Sequence, residues 1–225
     1  MDTFNKNHAE GYDDWYKTSA GKLIDRIEKD LILELAEPLS GEKLLDLGCG
    51  TGNYSILFAK MGLEVTAIDK SKYMLEKARM KSNEINFIQG DIYNLPFSDE
   101  SFDLIVSITV FEFLNNPVKA AREAMRVLRP EGRFIIGVIG ENSPWAKMYK
   151  EKSENDKTSV FKNANFYTVK KARELLAAFE NEYKVGLHFG PDADFGNKET
   201  LLKKEKEGQK NNNKDGGFIC VGWRK

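Results

Sequence analysis

Three glycines on alternate positions, Gly48, Gly50 and Gly52, stand between the apolar run Leu44, Leu45, Leu47 and a stretch from Asn53 that reads as a helix. A buried strand that enters such a turn belongs to a parallel, helix-covered sheet. There, residues without Cβ let the backbone approach a ligand and take φ values that side chains forbid. The glycine spacing narrows the ligand. A pyrophosphate seated on a helix N-terminus calls for G-x-G-x-x-G, whereas this chain has G-x-G-x-G. Asp46, just before the turn, repels a pyrophosphate and favours a ligand carrying an amino group or a sulfonium.

The rest of the 225-residue chain agrees with that sheet. Short apolar runs at residues 43–47, 64–68, 86–89, 102–108 and 133–139 have the length of strands buried on both faces. Helical stretches alternate with them. Over residues 117–128, Val118, Ala121, Met125 and Leu128 recur at spacings of three and four behind Pro117, and Arg129 to Gly132 then stops the helix. Thr168 reads as the N-cap of a helix with Val169, Ala172, Leu176 and Phe179 on one face. Tyr183, Val185, Leu187 and Phe189 alternate as a strand, residues 198–214 read as a solvated helix and loop, and Gly216-Gly217 opens a last strand, 218–223. The two late strands suggest an antiparallel edge hairpin. The expectation is an α/β, Rossmann-like sheet of seven mostly parallel strands, the last antiparallel, with helices on both faces. It forms one domain: residues 1–40 a lid and helix, 41–140 the cofactor core, 141–225 acceptor-side insertions and the late strands.

Charge and cysteine content set further limits. The net charge of −1 lacks the basic footprint of a nucleic-acid binder. Cys49 and Cys220 have no paired ligand spacing, and with only His8 and His188 no metal site is expected. No apolar run reaches membrane-span length and the N-terminus lacks the order of a signal peptide, so a cytoplasmic protein is expected.

Acids recur where strands end. Asp69 ends the second strand about twenty residues beyond the glycine turn, Gly90-Asp91-Ile92 follows the third, and Leu95-Pro96-Phe97 leads into Phe102-Asp103-Leu104-Ile105-Val106. With Asp46 to Gly52, this series resembles the class I S-adenosylmethionine-dependent methyltransferases, within them the group similar to quinone-biosynthesis methyltransferases. The resemblance covers residues 13–128 well and the late strands more loosely. It implies S-adenosylmethionine as cofactor, with S-adenosylhomocysteine as product. By resemblance Asp46, Gly48, Cys49, Gly50 and Gly52 frame the cofactor, Asp69 and Lys70 lie at its ribose, and Met74, Asp91 and Ile92 lie at its adenine. Thr109 lies at the end of the fourth strand, and Tyr12 and Tyr16 belong to an aromatic lid. The acceptor is read as a small molecule, its atom open. No catalytic group is obligatory for an in-line displacement from a sulfonium; Glu112, His8 and His188 are candidate bases. Asn142 to Ala146 is a candidate wall for the acceptor. A non-catalytic cofactor-binding protein of this fold and an NAD-dependent oxidoreductase stand as alternatives.

Overall fold

The computed structural model describes residues 6–156 and 158–225, so residues 1–5 of the expected lid segment lie outside the described residues. A short helix α1 (Lys6–Gly11) and a 3-10 turn, Tyr12–Lys17, lead into α2 (Ser19–Ala36). Strand β1 (Lys43–Leu47), helix α3 (Asn53–Lys60), β2 (Glu64–Asp69), α4 (Lys72–Lys81), β3 (Asn86–Gln89) and β4 (Phe102–Ile108) follow. After them come α5 (Pro117–Val127), β5 (Leu128–Ile139), α6 (Pro144–Asn155), α7 (Val169–Arg173), β6 (Asn181–Gly186), α8 (Lys198–Lys210) and β7 (Phe218–Arg224).

The strands form one sheet in the order β3-β2-β1-β4-β5-β7-β6. The pairs among β1 to β5 are parallel, and β7 lies antiparallel between β5 and β6. Alternate side chains of the central strands enter different cores, which is why those strands read as continuous apolar runs. Leu44, Val106 and Ile135 pack with α2, α3, α4 and α8 on one face, whereas Leu45, Ile105 and Ile136 pack with α5 and α7 on the other. The order reverses between β1 and β4, and open parallel sheets leave a crevice at the carboxyl ends of such a pair.

The two late strands form the expected antiparallel edge hairpin, β6 at the edge and β7 inside it; β7 buries Phe218, Ile219, Cys220, Val221 and Trp223, while β6 leaves Glu182 exposed. Other expectations are corrected in detail. β6 ends at Gly186, before Leu187 takes a positive φ of 59°. α5 stops at Val127, and the expected stop 129–132 is instead an irregularity within β5, where pairing shifts between Phe102↔Leu128 and Leu104↔Arg133. Val118 is exposed, since alanines 120, 121 and 124 bring the other side of α5 close to the sheet. Thr168 does cap α7, but the helix tightens into a 3-10 turn at Glu174–Leu176. α8 is mostly solvated, as its composition suggests, yet it buries Leu201 and Glu205 against the sheet side.

Candidate cofactor and acceptor site

The crevice at the strand switch holds a pocket of about 330 Å³. Its floor begins with the glycine turn. Gly48 and Cys49 both donate backbone N–H to the Ile68 carbonyl, at 2.8 and 3.1 Å, which fastens the turn to the end of β2. Gly48, at φ +73°, lies so close to the Val110 side chain that a Cβ would sit 2.5 Å from it. Gly50 has open space where its Cβ would be, and its N–H donates to Asp69 Oδ2 at 2.8 Å. Asp69 Oδ1 accepts from the Ser71 N–H at 2.7 Å, so one carboxylate joins the glycine turn to the start of α4.

All the residues expected around the cofactor line this pocket except Gly52. Gly52 instead starts α3 at φ +78°, with its Cβ position 3.0 Å from the Phe87 ring, so its glycine serves packing of the turn against β3. Thr51, Tyr54 and Tyr93, which the sequence reading did not name for the site, also line it, as do Val110 and Phe113 from the segment after β4. Thr51 and Tyr54 simply extend the glycine turn and could have been found by proximity to it. Thr109 occupies the left-handed region at φ 52°, a conformation that costs a β-branched residue about 1–3 kcal/mol, and strain of this kind collects at ligand sites.

Burial pushes the Asp46 carboxyl up to about 7 against the pull of its hydrogen bond from Ser55, and the charge of Asp69 pushes it up further. Two acids therefore converge on one pocket, where a sulfonium or ammonium would relieve their repulsion. The open space at Gly50 and the two carboxyl groups fit S-adenosylmethionine by shape and by charge.

The 3-10 turn Tyr12–Lys17 contributes Tyr12 and Tyr16 to the pocket lining, their rings 5.9 Å apart. Between them in sequence, Asp13 is clasped to the body. Its Oδ2 pairs with Lys81 Nζ at 2.7 Å, and its Oδ1 accepts from Thr51 Oγ1 at 2.8 Å. Burial opposes ionisation of Asp13, but the Lys81 and Thr51 hydrogen bonds outweigh it and hold the carboxyl below its ordinary value.

The candidate bases lie elsewhere. Glu112 is wholly buried and does not line the pocket; its Oε1 accepts from the Ile139 N–H at 2.6 Å, bracing the end of β5. His8 sits in α1 outside the pocket, on the side of Asp156. His188 packs under α8, its backbone N–H donating to Glu205 Oε2. The expected acceptor wall at Asn142 to Ala146 also turns away, since Trp145 is buried and donates Nε1–H to the Phe189 carbonyl at 2.7 Å, and Asn142 donates to Asp215.

Residues 45–136 match the profile of a methyltransferase domain. An uncharacterized protein of Methanocaldococcus jannaschii is 32% identical over 224 residues, covering 98% of this chain and 98% of that protein. The chain belongs to the class I S-adenosylmethionine-dependent methyltransferases. The demethylmenaquinone methyltransferase of Renibacterium salmoninarum is 33% identical to this methyltransferase over 123 residues, 54% of this chain and 52% of that enzyme, so the match spans about half of it. A solved S-adenosylmethionine-dependent methyltransferase of Thermotoga maritima, described as a possible histamine N-methyltransferase, has the same fold. Its TM-score is 0.75 at 21% identity, with 97% of this chain and 96% of that one covered. As a member of this family the methyltransferase uses S-adenosylmethionine. Among its described residues no helix is long and apolar enough to cross a membrane.

Proposed function

We propose that the pocket at the β1/β4 switch binds S-adenosylmethionine and that the enzyme moves its methyl group to a small-molecule acceptor by in-line displacement. The observation that carries this reading is the convergence of Asp46, Asp69 and the open Gly48 to Gly50 turn on one crevice. Bound there, S-adenosylmethionine would supply a methyl group on a sulfonium whose leaving group is a neutral thioether. Asp69 holds the ribose hydroxyls, Asp91 and Ile92 flank the adenine, and Met74 and Lys70 border it. Asp46 offsets the positive end. The protein's own part is alignment and exclusion of water, which Tyr12 and Tyr16 provide from above. The protein is read as a single domain.

Thermal unfolding with S-adenosylmethionine, S-adenosylhomocysteine and NAD in separate samples tests the reading. At one hundred times its dissociation constant, either sulfur nucleotide should add about 2.7 kcal/mol, raising Tm by about 5–10 °C. Stabilisation by NAD alone would overturn it.

The clasp on Asp13 makes the lid testable by itself. Asp13→Ala removes the Lys81 pair and the Thr51 hydrogen bond, both partly exposed, and is expected to speed dissociation of S-adenosylhomocysteine about 3–10-fold, or about 1 kcal/mol. Stopped-flow dissociation rates read this directly, and an unchanged rate would show that the Tyr12–Lys17 turn does not gate the pocket.

A further inference from the structure

The acid that precedes the glycine turn is gripped from behind. Asp46 lines the pocket near the end of β1 yet is only 2% exposed, so its carboxyl lies mainly among protein groups. Ser55 Oγ donates to Asp46 Oδ2 at 2.6 Å. Ser55 itself is wholly buried on α3 and does not line the pocket.

The place of Ser55 in the chain makes this contact informative. α3 turns Tyr54, Ser55 and Phe58 inward, where packing on a sheet calls for apolar side chains. A buried hydroxyl without a partner costs free energy, and in a helix it commonly bonds back to a carbonyl one turn earlier. This one reaches nine residues back, to a side chain on the neighbouring strand. A second buried serine supplies the contrast: Ser107, on β4, donates to the Leu47 carbonyl at 2.9 Å and so serves backbone alone.

The surroundings of Asp46 otherwise disfavour its charge. Burial opposes ionisation most, and Asp69 at the end of β2 adds a like charge. The Cys49 thiol in the glycine turn is kept neutral by burial and then by the charges of Asp46 and Asp69. Arg79, on α4, acts on Cys49 and spends a guanidinium N–H on the Phe87 carbonyl. The Ser55 hydroxyl is the largest influence that favours the Asp46 carboxylate, and the Ser55 N–H adds to it. One residue therefore sets both the orientation and the charge of the acid that the cofactor meets.

We propose that Ser55 is a positioning residue of the cofactor site: acting through Asp46, and touching neither cofactor nor acceptor, it holds that carboxyl at the crevice as a carboxylate ready for the positive end of S-adenosylmethionine; this rests on the methyltransferase reading above. A hydrogen bond to the ionised carboxyl is stronger than the same bond to the acid. Its loss moves the ionisation of Asp46 to higher pH by about one unit, a factor of ten in the ionised fraction below that range.

Calorimetric titration of S-adenosylmethionine into the enzyme, without acceptor and between about pH 5.5 and 8.5, tests this. At each pH the ratio of dissociation constants, Ser55→Ala over wild type, cancels the titration of the ligand itself. It is expected to lie within about twofold at the alkaline end, where Asp46 is ionised in both proteins, and to reach about tenfold at the acid end, where binding must first remove a proton. Ser55→Cys keeps the size of the side chain with a weak donor and should fall between. Ser107→Ala loses a hydroxyl just as buried, and its ratio should not change with pH. A ratio independent of pH in both Ser55 variants, or an equal rise in Ser107→Ala, overturns the proposal and leaves Ser55 a packing residue. Failure of the wild-type enzyme to bind S-adenosylmethionine at any of these pH values would instead overturn the cofactor reading, and this inference with it.

Discussion

Asp69→Ala is expected to weaken S-adenosylhomocysteine binding by about 2–3 kcal/mol, roughly 30–150-fold, the largest loss of any single change around the pocket. The carboxylate acts twice. It accepts from the Gly50 N–H at 2.8 Å and from the Ser71 N–H at 2.7 Å, so its removal loosens the glycine turn and the entry to α4 together. In the proposed complex it also accepts from the ribose hydroxyls, and hydrogen bonds to a charged group are worth about 1.5–3 kcal/mol. Asp91→Ala is the comparison. Asp91 is exposed and its side chain accepts from the nearby Tyr93 N–H, so a smaller loss is expected there. Calorimetric dissociation constants for both variants read the difference. Unchanged affinity in Asp69→Ala would remove that residue from the site.

The second large effect is on stability. Glu112→Ala should cost about 2–4 kcal/mol, because it opens a cavity in a fully buried position and leaves the Ile139 N–H without its acceptor. Glu112→Gln keeps that acceptor and should change the pH dependence instead. Burial pushes the Glu112 carboxyl up to about 7 against the hydrogen bonds from its own N–H and that of Ile139, so the folded state holds its proton more tightly than the unfolded chain. Its stability is therefore fully present below about pH 4.5 and is lost as pH rises through about 7, at most about 3 kcal/mol in all. Asp46 at about 7 and Glu28 at about 8 titrate in the same direction, so the wild-type enzyme should soften steadily from pH 5 to 8. Urea midpoints at these pH values should show a shallower slope in Glu112→Gln, and parallel curves for the two proteins would refute the assignment.

Glu112 also shows why a candidate residue can be visible and its role not. Its place after β4 puts it near the ligand edge of the sheet, and an acid there reads as a base. Whether the side chain turns toward the crevice or back beneath β5 depends on the 3-10 turn Phe111–Phe113, which carries no periodic signature. Gly52 is the same case from the other side. Its glycine is demanded by a positive φ and by the Phe87 ring, not by a ligand, and alternation with Gly48 and Gly50 cannot distinguish these demands.

The strands β1 to β5, the glycine turn and the acids at the ends of β1 and β2 were legible in the sequence because each rests on short-range chemistry. Burial on both faces makes a strand uniformly apolar, a turn at positive φ takes glycine, and a carboxylate at a strand end is a single residue at a countable distance. The tertiary structure alone decided the insertion of β7 between β5 and β6 and the Asp13–Lys81 pair that joins the Tyr12–Lys17 turn to the end of α4. Those pairings join residues far apart in the chain, and their energies come from desolvation and from charges brought together by packing. Neither leaves a repeat or a spacing in the sequence to be read.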